Sequence, residues 1–125
     1  MTAGARRPAI LAAGVAVLAL AIAGCGPATS AGADASPVAT STVVLPASYQ
    51  FEPVSIAVPA GTTVTWSNED HFTHSVQFLD GGLPSDPMLL QPGSATTFTF
   101  SEPGRYRYQC HLHPVDMQGT VVVEG

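Results

Sequence analysis

"RYRYQCHLHPVDMQGTVVVEG", residues 105–125, opens with strict alternation. Tyr106, Tyr108 and Cys110 fall on one side, and Arg105, Arg107 and Gln109 on the other. A period of two with aromatic residues on one side is the signature of a strand with one buried face. Gly119 starts a return strand, "TVVVEG", and "HLHPVDMQG" is the loop between. Cys110 therefore points inward at the place where strand becomes loop. The eight residues from Cys110 to Met117 gather a thiol, two imidazoles and a thioether between two strand ends.

The same period recurs upstream. "TTVTWSN", residues 62–68, sets Val64 and Trp66 against Thr63 and Thr65, and "ATTFTFS", residues 95–101, aligns Phe98 with Phe100. Turn signals divide these runs: "PAG" at 59–61, "DGGLP" at 80–84, "QPG" at 91–93 and "EPG" at 102–104. No segment keeps a helical period over three turns. The pattern predicts an all-β domain, a Greek-key β-sandwich or barrel of about seven or eight strands. Tyr106, just after a Pro-Gly turn, is a candidate tyrosine corner.

Residues 1–24 do not belong to that domain. Arg6 and Arg7 precede an apolar run from Ala9 to Ala23, the layout of an export signal peptide. It is shorter than the ~20 apolar residues of a comfortable membrane span. "IAGC", residues 22–25, resembles a bacterial lipobox, which makes Cys25 the lipidated N-terminus of a protein anchored to the outer face of the cell membrane. Without lipidation the chain would be secreted or periplasmic. The small, polar stretch that follows completes a lipid anchor and flexible linker over residues 25–41, and the folded domain spans residues 42–125.

Charge narrows the partners. The chain has four arginines, no lysine and nine acidic residues, and losing residues 1–24 leaves two arginines against nine acids, a formal charge of −7. Nucleic-acid binding, which depends on cationic contacts to phosphate, is excluded. The lipid would be the membrane anchor, and the domain is expected to be a monomer.

With Cys25 lipidated, Cys110 has no disulfide partner. A free thiol is consumed in an oxidising compartment unless it is buried or occupied. A metal is one such occupant. Thiolate and thioether beside imidazole favour copper over hard cations. The spacing Cys-x2-His-x3-Met, through Cys110, His113 and Met117, supplies a single imidazole for a trigonal set that uses two. The other must come from elsewhere, and "WSNEDHFTHSV" offers His71 and His74.

These two segments resemble the ligand motifs of the small blue copper proteins, the plastocyanin and amicyanin type of cupredoxin. "VTWSNEDHFTHSV" is similar to their first-histidine motif, and "YQCHLHPVDMQGTVVV" to their Cys–His–Met motif. "FEP" at 51–53 and "PAGTTV" at 59–64 also fit, so the resemblance covers about residues 43–124. It implies one copper per chain, with His74 and His113 as imidazole ligands, Cys110 as thiolate and Met117 as weak axial thioether. Asn68 and Ser75 become candidate supports: Asn68 to tie the two ligand loops together, and the Ser75 amide to reach the sulfur.

Two departures stand out. Three residues separate His113 from Met117, where amicyanin-like loops have two and plastocyanin-like loops four. His111 follows the cysteine where a small or polar residue is usual. His71 and His111 are both expected to be exposed, with His111 directed away from the Cys110 side.

The function implied is that of an extracytoplasmic electron carrier, not an enzyme, cycling Cu(II)/Cu(I) and meeting redox partner proteins transiently. The edge of His113 is the expected electron port, rimmed by Leu112, Pro114 and Val115, with Leu83 and Pro84 as possible additions. A catalytic second copper would need more histidines than His71 and His111. The competing reading is copper trafficking, storage or resistance, with a looser second site drawn from His71, His111 and Met88.

Overall fold

The computed structural model describes residues 35–125, together with Gly4 and Gly14. Apart from those two glycines, the expected export segment, Cys25 and most of the expected linker lie outside the described residues.

Nine strands are present among the described residues, with no helix. They are β1 (Val38–Ala39), β2 (Thr42–Leu45), β3 (Ser55–Pro59), β4 (Thr62–Asn68), β5 (His74–Phe78), β6 (Met88–Leu90), β7 (Ala95–Phe100), β8 (Gly104–Gln109) and β9 (Gln118–Glu124). A six-stranded sheet of order β1-β3-β9-β8-β5-β6 faces a three-stranded sheet of order β2-β4-β7. This is the expected all-β sandwich.

Two short strands go beyond the expected count. Val38 and Ala39, in the stretch read as tether, pair in parallel with Ile56 and Ala57 and cover what would otherwise be the open edge of β3. The folded body thus begins ahead of Thr42. Strand β6 was not foreseen because three residues are too few to display a period. It pairs with β5 through His74↔Leu90, Ser75↔Leu89 and Val76↔Met88.

The core lies between the sheets. The smaller sheet contributes Val43, Leu45, Val64, Trp66 and Phe100, and the larger Ile56, Val58, Val76, Phe78, Leu90, Tyr108, Val121 and Val123. Trp66 stands edge-on to Phe78 and Tyr108, with ring centroids 6.1 and 5.5 Å away. Such edge-to-face contacts add to burial, and truncating a core ring of this size costs about 3–5 kcal/mol. The Tyr106 hydroxyl donates to the Glu102 carbonyl at 2.7 Å, the tie-back expected of a tyrosine corner.

β8 and β9 form the antiparallel pair that carries the ligand loop, and Tyr108 lies opposite Gly119. The buried Tyr108 ring lies over this glycine, and a methyl group built there overlaps the ring and its hydroxyl. Gly119→Ala is expected to lower unfolding stability by about 1–3 kcal/mol through overpacking, read as a lower denaturant midpoint at unchanged slope.

On the other face Asp80 accepts the backbone N–H of Arg107 and its guanidinium. These bonds, the guanidinium's foremost, hold the Asp80 carboxyl below its ordinary 3.8. A depressed carboxyl contributes stability that is complete above the unfolded value and fades as pH falls through the lower folded value. Asp80→Asn should therefore be less stable than the parent at neutral pH, with the gap closing in acid unfolding below about pH 3.8.

Candidate metal centre

His74 is the first residue of β5 and Cys110 follows the last residue of β8, so two strand ends in one sheet bring them together. His113 lies on the loop after Cys110. One ligand atom from each of the three lies within 4.8 Å of the others. Among the described residues this is the sole group of three or more His, Cys, Asp or Glu side chains arranged in this way.

The donor directions fit one ion. His74 Nδ1 lies 3.9 Å from Cys110 Sγ, and His113 Nδ1 lies 3.7 Å from it. With metal–nitrogen bonds of about 2.0–2.1 Å and a metal–sulfur bond of about 2.3 Å, a trigonal set separates nitrogen from sulfur by about 3.8 Å. Two imidazoles and a thiolate in trigonal array, near a thioether, are a donor set for copper.

The loop is closed by its own backbone. Cys110 N–H donates to the Met117 carbonyl at 3.0 Å, His113 N–H to the Cys110 carbonyl at 3.1 Å, and Met117 N–H to the His113 carbonyl at 2.9 Å. These bonds accommodate the three-residue His-to-Met spacing. Met117, like Cys110 and His74, is fully buried, whereas His113 is half-exposed. Its sequence neighbours Leu112, Pro114 and Val115 are exposed.

The first ligand is fixed from behind. Its Nε2 lies 2.8 Å from a carboxylate oxygen of buried Asp70. The hydrogen bond with His74, the largest cause, and the one from the His71 amide keep the Asp70 carboxyl below its ordinary value. An ionised carboxylate only accepts, so Nε2 carries the proton and the Nδ1 lone pair faces the sulfur. Asp70 is itself held by Asn68, whose Oδ1 accepts the Asp70 N–H at 2.9 Å. Asn68 Nδ2 donates to the carbonyls of Phe72 and Leu90, at 2.8 and 3.0 Å. Asn68 thus braces the first ligand loop against β6 instead of tying the two ligand loops together.

That tie comes from Ser75, through its side chain. Its hydroxyl lies 3.8 Å from Cys110 Sγ and 2.6 Å from His111 Nδ1, and it accepts the His111 N–H at 3.0 Å. The expected outward, exposed His111 is corrected: the ring is half-buried and bonded toward the sulfur side. Strand alternation ends at Cys110, so it did not govern the next residue. His71 is exposed, as expected.

Two of the residues considered for a second copper site have partners of their own. His111 Nδ1 is engaged by Ser75, and Met88 Sδ accepts the Thr96 hydroxyl at 3.7 Å. Leu83 lines a cleft with Phe98, Phe100 and Tyr106, toward the start of β8, and not the rim that follows its end.

Two contributors escaped sequence reasoning. Asp70 was legible only as part of a motif, without a role of its own. Tyr49 has a positive φ of 54°, uncommon for a residue with a side chain. Its ring stands edge-on to His113 at 4.8 Å and to His74 at 5.8 Å, and stacks on exposed Phe72 at 6.1 Å. Nothing in the local pattern marked it.

Comparison with known proteins agrees with this geometry. A cupredoxin-like domain model matches residues 14–123. The chain belongs to the cupredoxin-like family. Amicyanin of Paracoccus denitrificans is 36% identical over 94 residues, covering 72% of this chain and 71% of that protein. A chloroplastic plastocyanin of Tetradesmus obliquus is 33% identical over 84 residues, covering 59% of this chain and 58% of the plastocyanin. Among solved structures, a purple cupredoxin from Nitrosopumilus maritimus superposes with a TM-score of 0.62 at 30% identity, covering 68% of this chain and the whole of that one.

Asp70 gives this cupredoxin a testable support. Asp70→Asn removes the charged acceptor behind His74 and should weaken copper binding about 10- to 100-fold in competition with a chelator of known affinity.

Proposed function

We propose that this cupredoxin carries single electrons between proteins on the extracytoplasmic side of a membrane. One copper, cycling Cu(II)/Cu(I), would be held by His74, Cys110 and His113, with Met117 as weak axial ligand. The observation that carries the reading is the convergence of two Nδ1 atoms and one Sγ within 4.8 Å, with one imidazole half-exposed. A bound copper supplies a one-electron couple for which this donor set suits both oxidation states.

The chain's own residues supply the rest. Asp70 fixes the His74 tautomer, and the loop's backbone bonds hold Cys110, His113 and Met117 in one frame. Burial of Met117 and Cys110 excludes water from the inner side of the site. On the outer side, Leu112, Pro114 and Val115, exposed and next to His113 in sequence, would form an apolar rim suited to brief contacts with a redox partner. Residues 1–24 serve as the export signal and Cys25 as the lipid anchor, in keeping with the lipobox-like "IAGC" and the acidic mature chain. The domain works as a monomer and does not catalyse a reaction.

Loading with one equivalent of Cu(II) should give an intense thiolate charge-transfer band and a narrow copper hyperfine splitting in EPR. A pale tetragonal signal would sink the electron-carrier reading, and more than one copper per chain would point to trafficking or storage. Met117→Leu should stay coloured with a raised potential; loss of copper from that variant would remove Met117 from the axial position.

A further inference from the structure

The Ser75 hydroxyl has more partners than protons. Its oxygen lies 3.0 Å from the His111 amide nitrogen, 2.6 Å from His111 Nδ1 and 3.8 Å from Cys110 Sγ. A serine hydroxyl donates one hydrogen bond and accepts two. The amide can only donate, so it fills one acceptor position. Two arrangements of the remaining contacts are possible. If Nδ1 is bare, the hydroxyl proton goes to it and the sulfur receives none from Ser75's side chain. If Nδ1 carries a proton, both acceptor positions are filled and the hydroxyl proton is left for Sγ.

We propose the second arrangement, in which His111 is a positioning residue that locks Ser75 as the hydrogen-bond donor to the Cys110 thiolate. The inference rests on the copper reading of the site. The Nδ1 atoms of His74 and His113 also lie near Sγ, at 3.9 and 3.7 Å, and their lone pairs face the metal position. Neither can donate. Cys110 is fully buried, so a hydrogen bond from the hydroxyl offsets part of the desolvation cost of its thiolate. The arrangement asks little of His111 in return: the ring is half-exposed, so water can donate to a bare Nε2.

The consequence falls on the redox balance. A hydrogen bond to the thiolate draws charge from the sulfur and favours the reduced site. His111 therefore acts on the centre without touching the metal. The residue that departs from the usual small or polar type after the cysteine becomes the one that aims the donor.

Nitrogen-15 NMR of the reduced parent protein reads the tautomer directly. The expected result is His111 protonated at Nδ1 and bare at Nε2. A bare Nδ1 in a blue parent protein would overturn this inference alone, whereas a parent without the thiolate band would overturn the copper reading itself. Ser75→Ala should move the equilibrium with a reference couple about tenfold toward Cu(II), which is about 59 mV for one electron. His111→Leu should move it the same way by less, and His111→Gln, whose amide can still donate, should restore it. An unchanged potential in Ser75→Ala with the blue band intact would remove Ser75 as donor, and one in His111→Leu would remove His111 as its lock.

Discussion

The brevity of the pairing between β5 and β8 is the constraint on which the site depends. Only Gln77↔Gln109 and Phe78↔Tyr108 are joined in that ladder. Beyond them the strands separate, and the His111 amide finds the Ser75 hydroxyl instead of a backbone carbonyl. The gap that opens is the space into which His74 and Cys110 project. A longer ladder would close it, and a shorter one would release the two ligands from a common frame. Gln77↔Gln109 is the pair next to the gap, and Phe78↔Tyr108, one position further from it, anchors the ladder by packing around Trp66.

Electrostatics follows from that frame. The site buries a thiol, an imidazole and a carboxylate, groups that are costly to remove from water unless each is satisfied. Asp70 meets His74 and the His71 amide, and Asn68 satisfies the backbone around them. The sulfur meets Ser75. The polar network and the apolar core thus meet along the same strands, with Trp66 inside β4 and Asn68, two residues further on, at its end.

Much of this was legible because strand alternation and ligand spacing are local. Val64, Trp66, Tyr108 and Cys110 are buried as their period requires. The family motifs placed His74, Cys110, His113 and Met117, and three of the four now share one cluster while Met117 is tied by its backbone to two of them. What stayed hidden was non-local or non-periodic. β1 is a strand only because β3 offers an edge, and β6 is too short to carry a pattern. Tyr49 reaches the site through a single left-handed residue. His111 turns inward because Ser75, far away in sequence, offers an oxygen.

The position of β9 has a consequence for how the molecule comes into being. It lies between β3 and β8, in parallel register with the first and antiparallel with the second. A strand from the end of the domain thus occupies the interior of the larger sheet, and the ligand loop is joined to it. Contacts between segments so distant in sequence form late and slowly. Strand β3 has an unpaired side until β9 is available. The larger sheet and the ligand loop joined to it are therefore completed in one step, and the three clustered ligands come together only when the last strand is in place.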